Sequence, residues 1–233
     1  MMGVWQWFTD PANWSGPDGI PARTWQQIGM SLVAIAIGLA VALPLGLVLG
    51  HLRKGVLLAT NISNVGRAVP TLAVLIILAS IPSIGVGDEA AVLALALFAI
   101  PPLLTNTFAG MASVDADVLD AGAGMGMGRR QRLFRVEMPL ASPLILAGVR
   151  TATVQVVATA SLAALVGGGG LGRYVVDGFA LQDTTMIVAG AILTALLAIC
   201  AEGALALFER VATPRGLRHR RAETRISMAD AVS

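Results

Sequence analysis

A loop between two long apolar segments contains the most distinctive spacing of residues in the chain. The tripeptide Asp120-Ala121-Gly122 is followed after three residues by Gly126, and after nine more by Val136-Glu137-Met138-Pro139. Glycine and proline at these points indicate a sharp reversal of the chain rather than a cluster of catalytic groups. The chemistry that such a protruding segment supports is recognition of another macromolecule.

The first half of this loop is predicted to be a short amphipathic helix. Its apolar residues recur at i, i+4, i+7 and i+11, which is the spacing of one helical face. These residues are Val114, Val118, Ala121 and Met125. Because the loop has nothing of its own to cover this face, we expect the face to dock into a groove of a partner. An amphipathic helix that lies on lipid is the alternative interpretation.

Sequence motifs of enzymes do not occur. The two histidines, His51 and His219, belong to no His-Glu-X-X-His pattern, and no Gly-X-Ser-X-Gly sequence is present. The phosphate-binding loop Gly-X-X-X-X-Gly-Lys-[Ser/Thr] is also missing, since the only lysine is Lys54. These absences argue against an intramembrane enzyme and against ATP hydrolysis by this chain.

The composition is that of an integral membrane protein. The 233 residues are 56% hydrophobic and 13% charged, with a mean hydropathy of +0.77, which is too apolar for a soluble domain of this size. Five apolar stretches reach the roughly 20 residues that a helix needs to cross a ~30 Å hydrocarbon core. They are residues 28–49, 56–79, 90–109, 140–165 and 186–208. The predicted fold is an all-α, polytopic membrane helical bundle of about five transmembrane helices.

Basic residues divide unevenly between the two sides of this bundle. If the Asp120 loop and the carboxyl terminus are cytoplasmic, only Arg23 and Arg173 of the sixteen lysines and arginines lie outside. The positive-inside rule then makes the amino terminus extracytoplasmic. The pI near 9.3 therefore indicates topology rather than nucleic-acid binding.

Three regions follow from this topology. Residues 1–27 are predicted to be an extracytoplasmic or interfacial segment, because their tryptophans suit a membrane interface; a disordered tail is the alternative. Residues 28–210 form the predicted transmembrane domain, which includes the loop at 111–139. Residues 211–233 form a basic cytoplasmic tail that is predicted to be disordered or to lie on anionic lipid.

The loop resembles the cytoplasmic EAA loop of the permeases of binding-protein-dependent ABC importers. That motif reads Glu-Ala-Ala, three residues, Gly, nine residues, Ile, any residue, Leu-Pro. The spacing here is the same, with departures at Asp120, Gly122, Val136 and Met138. The resemblance implies the fold of a type I importer permease (MetI-like) in the plasma membrane of a prokaryote.

The resemblance also implies a coupling helix that docks into a cleft of a cytoplasmic ATPase. Docking would fall to Asp120, Ala121 and Gly122, the turn to Gly126, and the return to the membrane to Val136, Met138 and Pro139. The implied partners are two ATPase subunits, a second copy of the permease or a related permease, an extracytoplasmic substrate-binding protein and membrane lipid. ATP and Mg²⁺ would be bound by the ATPase, so no cofactor or metal is expected in this chain.

Softer similarities extend over about residues 28–210. They comprise Pro70-Thr71-Leu72, Asn106-Thr107, Leu146-Ala147-Gly148-Val149-Arg150-Thr151 and Gly169-Gly170-Leu171-Gly172. These segments are similar to the permeases of osmoprotectant importers, which carry glycine betaine, choline, carnitine and related quaternary amines. The loop alone would also fit importers of methionine, sulfonates or amino acids, which are the alternative substrates.

Polar side chains inside the predicted spans are candidates for a translocation path, because lipid-facing positions disfavour them. They are Asn64, Thr71, Thr105, Asn106, Thr153, Gln155, Thr159 and Ser161. Each could instead be a hydrogen bonder in helix packing. A quaternary amine favours aromatic faces, but only Phe98, Phe108 and Tyr174 lie in or near the central spans. Tight recognition is therefore expected in the binding protein.

A secondary transporter or channel is the rival interpretation, since glycine-broken helices and polar groups at mid-membrane serve those proteins too. It predicts an inverted internal repeat and intramembrane acids for ion coupling. Five spans resist division into equal halves, and deeply placed acids are missing. Glu202 lies near the cytoplasmic end of the last span, where it could pair with an arginine or reach water at the interface.

Overall fold

The computed structural model describes residues 2–53 and 56–212, apart from the side chains of residues 2, 58–60, 63, 65 and 67. Every regular element in these ranges is helical. The α-helices are α1 (Met2–Thr9), α2 (Ile20–His51), α3 (Val56–Ala68), α4 (Thr71–Ala79), α5 (Asp88–Ala112), α6 (Ala116–Gly124), α7 (Arg129–Arg132), α8 (Met138–Thr159), α9 (Gly172–Leu181) and α10 (Thr184–Ala212). From residue 213 onward the predicted basic tail lies outside the described residues, as does Lys54.

Within the described ranges, four helical segments are long and apolar enough to cross a membrane. They are α2, α5, the continuous run Arg129–Val166 and α10. The run contains α7, a π turn at Leu133–Glu137, α8 and a 3₁₀ helix at Ala160–Val166. The spans predicted at 90–109, 140–165 and 186–208 fall within these segments, and so does the span predicted at 28–49.

The prediction of one continuous helix at 56–79 is wrong. This stretch forms α3, of 13 residues, and α4, of 9 residues, and neither is long enough to cross a bilayer alone. Pro70 causes the break, because its ring disfavours a helical backbone at Val69 and it has no N–H to donate. Pro70 itself has an extended ψ of 123° and precedes the first turn of α4.

Helix α2 begins earlier than the apolar stretch that predicted it. The helix starts at Ile20 and has Pro21 in its first turn, where the missing N–H leaves no bond unmade. Before it, α1 packs against the bundle through Trp7, whose ring lies edge-on to Tyr174 with centroids 5.2 Å apart. The amino-terminal segment thus forms a helix that contacts the bundle, and its interfacial position stays a prediction.

Helices α2 and α5 approach each other closely through small residues. A Cβ added at Gly46 would lie 2.7 Å from the Cβ of Thr107, and one added at Gly50 would lie 2.3 Å from the Cβ of Met111. Close approach of backbones is a principal source of helix association in membranes. The core that α2 and α5 share with α8 includes Ala34, Ala42, Leu95, Leu103, Leu104 and Val156.

Gly50→Ala is expected to destabilise the folded bundle by about 1–3 kcal/mol, because the new methyl group would overlap Met111. Gly29→Ala in the same helix is the matched control, since no atom lies within 4 Å of its added Cβ. Heating each detergent-solubilised variant and measuring the monodisperse fraction by size-exclusion chromatography gives the two midpoints. Equal midpoints would contradict the close packing of α2 on α5.

Candidate functional site

The loop that joins α5 to α8 contains the motif with the distinctive spacing. Asp115 caps α6, because its Oδ1 accepts the N–H of Asp117 at 3.0 Å. Val114 therefore precedes the helix, and it is buried at 5% exposure. The prediction that Val114 shares a helical face with the later apolar residues is wrong, since the cap starts the helix after it.

The other apolar residues of the predicted face are not covered by the described part of the chain. Val118 is 42% exposed and Met125 is 75% exposed, and Ala121 is exposed beside them, as is Asp120. Phe134, on the return segment, is also exposed. We call this surface the loop face; it comprises Val118, Ala121, Met125 and Phe134.

Helix α6 ends in a Schellman turn at Gly126. The N–H of Gly126 donates to the carbonyl of Ala123 at 2.9 Å, and the N–H of Met127 donates to the carbonyl of Gly122 at 3.1 Å. Gly126 has a φ of +81°, which strains any L side chain. The predicted turn thus lies at Gly126. Gly122 is buried instead, and a Cβ added there would contact Met127 at 3.5 Å and Arg132 at 3.6 Å.

The return segment enters α8 through the π turn at Leu133–Glu137. The N–H of Met138 donates to the carbonyl of Leu133, which closes the wide turn. Pro139 follows in the first turn of α8, where no N–H is required. Val136 and Met138 are half-buried and Pro139 is exposed, so the three predicted return residues lie where the loop meets the bundle.

The carboxyl-terminal end of α2 is attached to both ends of this loop. Arg53 donates to the carbonyl of Val114 at 2.6 Å, and Nδ1 of His51 lies 2.9 Å from both carboxylate oxygens of Glu137. His51 is the last residue of α2. Sequence reasoning gave Glu137 no role, because no spacing rule connects residues so far apart in the chain.

Four of the candidate path residues make hydrogen bonds within their own helical segments. Asn106 donates its amide to the carbonyl of Pro102 at 2.8 Å. The hydroxyls of Thr153, Thr159 and Ser161 donate to carbonyls of their own helical run, at 2.8, 2.7 and 3.1 Å. These four bonds satisfy groups within the helices, which agrees with a packing role.

Other candidate path residues remain open to a ligand or a partner chain. Asn64 and Gln155 are exposed and Thr71 is half-buried. Oγ1 of Thr105 is buried and has no hydrogen-bond partner among the described residues. Gln155 shares its side of α8 with Thr151 and Ala158, which are exposed as well and follow the i, i+4, i+7 spacing.

The three aromatic rings near the central spans are buried and present no open face. Phe98 and Phe108 are buried side chains of α5. Tyr174 donates its hydroxyl to the carbonyl of Asp18 at 2.6 Å. Burial raises the pKa of the Tyr174 phenol above its ordinary value of 10.0. Arg23 lowers this pKa and Asp18 raises it, both by smaller amounts than burial does. The phenol therefore stays protonated and serves as a structural donor.

Polar side chains that the sequence analysis missed hold the glycine-rich segment after α8 in a bend. The N–H of Gly169 donates to Oδ1 of Asp88 at 2.7 Å, and the N–H of Leu171 donates to Oε1 of Gln27 at 2.9 Å. The same Gln27 amide donates to the carbonyl of Val157 at 3.0 Å. Gln27 is fully buried and joins the two sides of the bend.

An ion-pair cluster joins α8 to α10. Arg150 lies 2.7 Å from Glu202 and 3.0 Å from Glu209. The predicted pairing of Glu202 with an arginine is confirmed, and Glu209 is a second partner that sequence reasoning missed. Both glutamates lie on one side of α10, because they are two turns apart.

Proteins of known function are similar to this chain over most of its length. The choline transport system permease protein OpuBB of Bacillus subtilis (strain 168) is 40% identical over 195 residues, which cover 84% of this chain and 89% of that protein. The carnitine transport permease protein OpuCB of Listeria monocytogenes is 39% identical over 199 residues, 85% of this chain and 90% of that protein.

A solved structure and a protein family also match. An inward-facing conformation of the MetNI methionine ABC transporter superposes with a TM-score of 0.74 at 22% identity, covering 88% of this chain and 100% of that one. Residues 23–213 match the family described as binding-protein-dependent transport system inner membrane component. The resemblance drawn from the loop is thereby confirmed: this chain belongs to that family and is a multi-pass membrane permease subunit of an ABC importer.

Proposed function

We propose that this permease carries quaternary-amine osmoprotectants of the glycine betaine, choline and carnitine class. The observation that carries the proposal is the 40% identity to a permease named for choline, over 84% of the chain. The glycine betaine/carnitine/choline permease OpuCB of Bacillus subtilis is 38% identical over 195 residues. Methionine is the alternative substrate, but the methionine transporter shares only the fold at 22% identity.

The groups available along α8 are compatible with a low-affinity passage. A quaternary nitrogen has no N–H to donate and gains most from aromatic faces, yet the rings near the central spans are buried. Thr151 and Gln155, which are exposed on α8, are neutral and would contact a cation weakly. Tight binding is accordingly assigned to an extracytoplasmic substrate-binding protein.

The exposed side of α8 at Thr151, Gln155 and Ala158 is assigned to the second permease of the importer. Polar side chains that face lipid are unfavourable, and a facing permease would cover them. The passage would then run between the two permeases. Either a second copy of this chain or a related permease would cover these side chains.

The loop face is assigned to a groove of a cytoplasmic ATPase. Among the described residues nothing covers its apolar side chains. Arg129, Arg130 and Arg135 of the same loop are exposed, so acidic groups are expected at the rim of the groove. Asp120 and Ala121 lie on the exposed side of α6, while Gly122 and Gly126 fix the turn that presents it. ATP and Mg²⁺ are bound by that partner, and ATP binding there would shift this permease between inward-open and outward-open states.

Docking of the loop face to a cytoplasmic ATPase also requires one orientation of the permease in the membrane. The loop between α5 and α8, which we call the coupling loop, then lies in the cytoplasm with the carboxyl terminus. Helix α1 and the glycine-rich bend lie outside, in accord with the positive-inside rule. The outer surface around Asp18, Arg23, Arg173 and Asp177 contains paired charges. A substrate-binding protein would dock on that side.

Met125→Asp is expected to reduce the amount of ATPase that co-purifies with the permease by about tenfold or more, because an acid placed in an apolar groove is desolvated. The measurement is detergent purification of the tagged permease from native membranes, with quantification of the captured ATPase. Leu181→Asp is the matched control, since Leu181 is 72% exposed on α9 at the outer side. Full retention of the ATPase by a well-folded Met125→Asp variant would contradict docking through the loop face.

Proteoliposomes that contain the permease and its captured ATPase are expected to accumulate glycine betaine or choline when ATP and the binding protein are supplied. Omitting ATP should abolish uptake, because the energy comes from the partner chain. Methionine is measured in parallel, and selective methionine uptake would support the alternative substrate. Uptake that proceeds equally without nucleotide would favour a secondary transporter or channel instead.

A further inference from the structure

The carboxylate of Glu137 is buried where the coupling loop returns to the bundle. It is 3% exposed, and both of its oxygens lie 2.9 Å from Nδ1 of His51. A buried carboxylate is strongly unfavourable unless a donor compensates it. The position of Glu137 thus depends on the imidazole at the end of α2.

The π turn at Leu133–Glu137 explains how a charged residue of the loop faces inward. A π turn adds a residue to one helical turn and so shifts the direction of the side chains that follow. Phe134 and Arg135 remain exposed in this turn, whereas Glu137 points to His51. The turn places the carboxylate beside α2 immediately before α8 begins.

A second bond connects α2 to the opposite end of the loop. Arg53, two residues after His51, donates to the carbonyl of Val114 at 2.6 Å. Val114 lies just before α6 and Glu137 just before α8. The inner end of α2 thus holds both ends of the loop, although α2 is joined to neither by the chain.

The helix that receives these bonds is well placed to transmit a displacement. Gly46 and Gly50 bring α2 into close contact with Thr107 and Met111 of α5, and closely packed helices move together rather than slide freely. The chain itself joins the loop to α5 and α8. The bonds at His51 and Arg53 link the loop to α2 as well. Without them, the turn at Gly126 and the π turn could absorb a movement of α6.

We propose that the His51–Glu137 pair, supported by the Arg53 bond to Val114, is the joint that transmits movement of the coupling loop to α2. This inference rests on the proposed docking of the loop to an ATPase and adds the helix that receives the movement. A cavity of about 410 Å³ lies beside the joint, and Asp120, Arg129 and Arg132 line it together with His51 and Glu137. The cavity gives these side chains room to shift as the loop moves. His51 and Glu137 act as positioning residues and do not touch the substrate.

The test compares Glu137→Met with Glu137→Gln in the complete importer. Methionine removes both the carboxylate and its cost of burial, so the fold is kept while His51 loses its acceptor. Glutamine keeps an acceptor for His51. Substrate uptake and ATP hydrolysis are measured in the same proteoliposomes, and the readout is the substrate taken up per ATP hydrolysed. We expect this ratio to fall about tenfold in Glu137→Met and about twofold or less in Glu137→Gln.

A double-mutant cycle tests whether the two side chains act as a pair. His51→Leu should lower the ratio at least as much as Glu137→Met does, because it leaves the Glu137 carboxylate buried without its partner. The double variant removes both groups and should be no worse than Glu137→Met alone. Ser142→Ala is the matched control; it removes a bond from Ser142 Oγ to the carbonyl of Pro139 at 2.8 Å, which lies within α8. This variant should keep the wild-type ratio.

The results separate the joint from the function on which it rests. Wild-type ratios in His51→Leu and Glu137→Met would overturn the joint while leaving the coupling loop in place, and so would strictly additive losses in the cycle. Absence of ATP-driven uptake in the wild type would overturn the proposed function and the joint with it. Loss of ATPase capture in Glu137→Met would also overturn the joint, because a buried residue should not be part of the docking surface.

Discussion

Close contact between α2 and α5 is the constraint on which the rest of the bundle depends. Apolar side chains gain little by leaving lipid for protein, so membrane helices associate through shape and close approach. Gly46 and Gly50 allow that approach on α2. Gly148 does the same for α8, since a Cβ there would lie 2.6 Å from the Cβ of Asn106 on α5. The coupling loop and the glycine-rich bend are both attached to this trio of helices.

Interruptions of the helices occur where other groups satisfy the backbone. In an apolar environment an unpaired N–H or carbonyl costs several kcal/mol. Asp88 and Gln27 accept the N–H groups that the bend at Gly169 and Leu171 leaves free. The same requirement accounts for polar side chains beside the bend in an otherwise apolar bundle, because they complete the backbone bonding of a neighbouring segment.

The predictable part of this structure is the part that short-range rules govern. The helical spans follow from apolar length, and the turn at Gly126 follows from glycine after an amphipathic repeat. The break at Pro70 also follows from a short-range rule, whereas apolar length alone predicts one span at residues 56–79. The sequence does not predict the bonds of His51 with Glu137 and of Gln27 with Leu171, since each joins residues that only helix packing brings together. Val114 is an intermediate case. It fits the apolar repeat of the helix, but it precedes Asp115, which caps α6.

Two glycines of this permease exclude side chains for different reasons. At Gly50 the obstacle is Met111, and the limit is one of volume. At Gly126 no atom lies within 4 Å of an added Cβ, and the obstacle is the φ of +81°, so the limit is one of handedness. A D-alanine introduced at position 126 by semisynthesis would adopt this backbone without strain. The glycine of the coupling loop thus specifies the chirality of a turn, and a mirror-image residue would preserve that turn where every larger L-residue strains it.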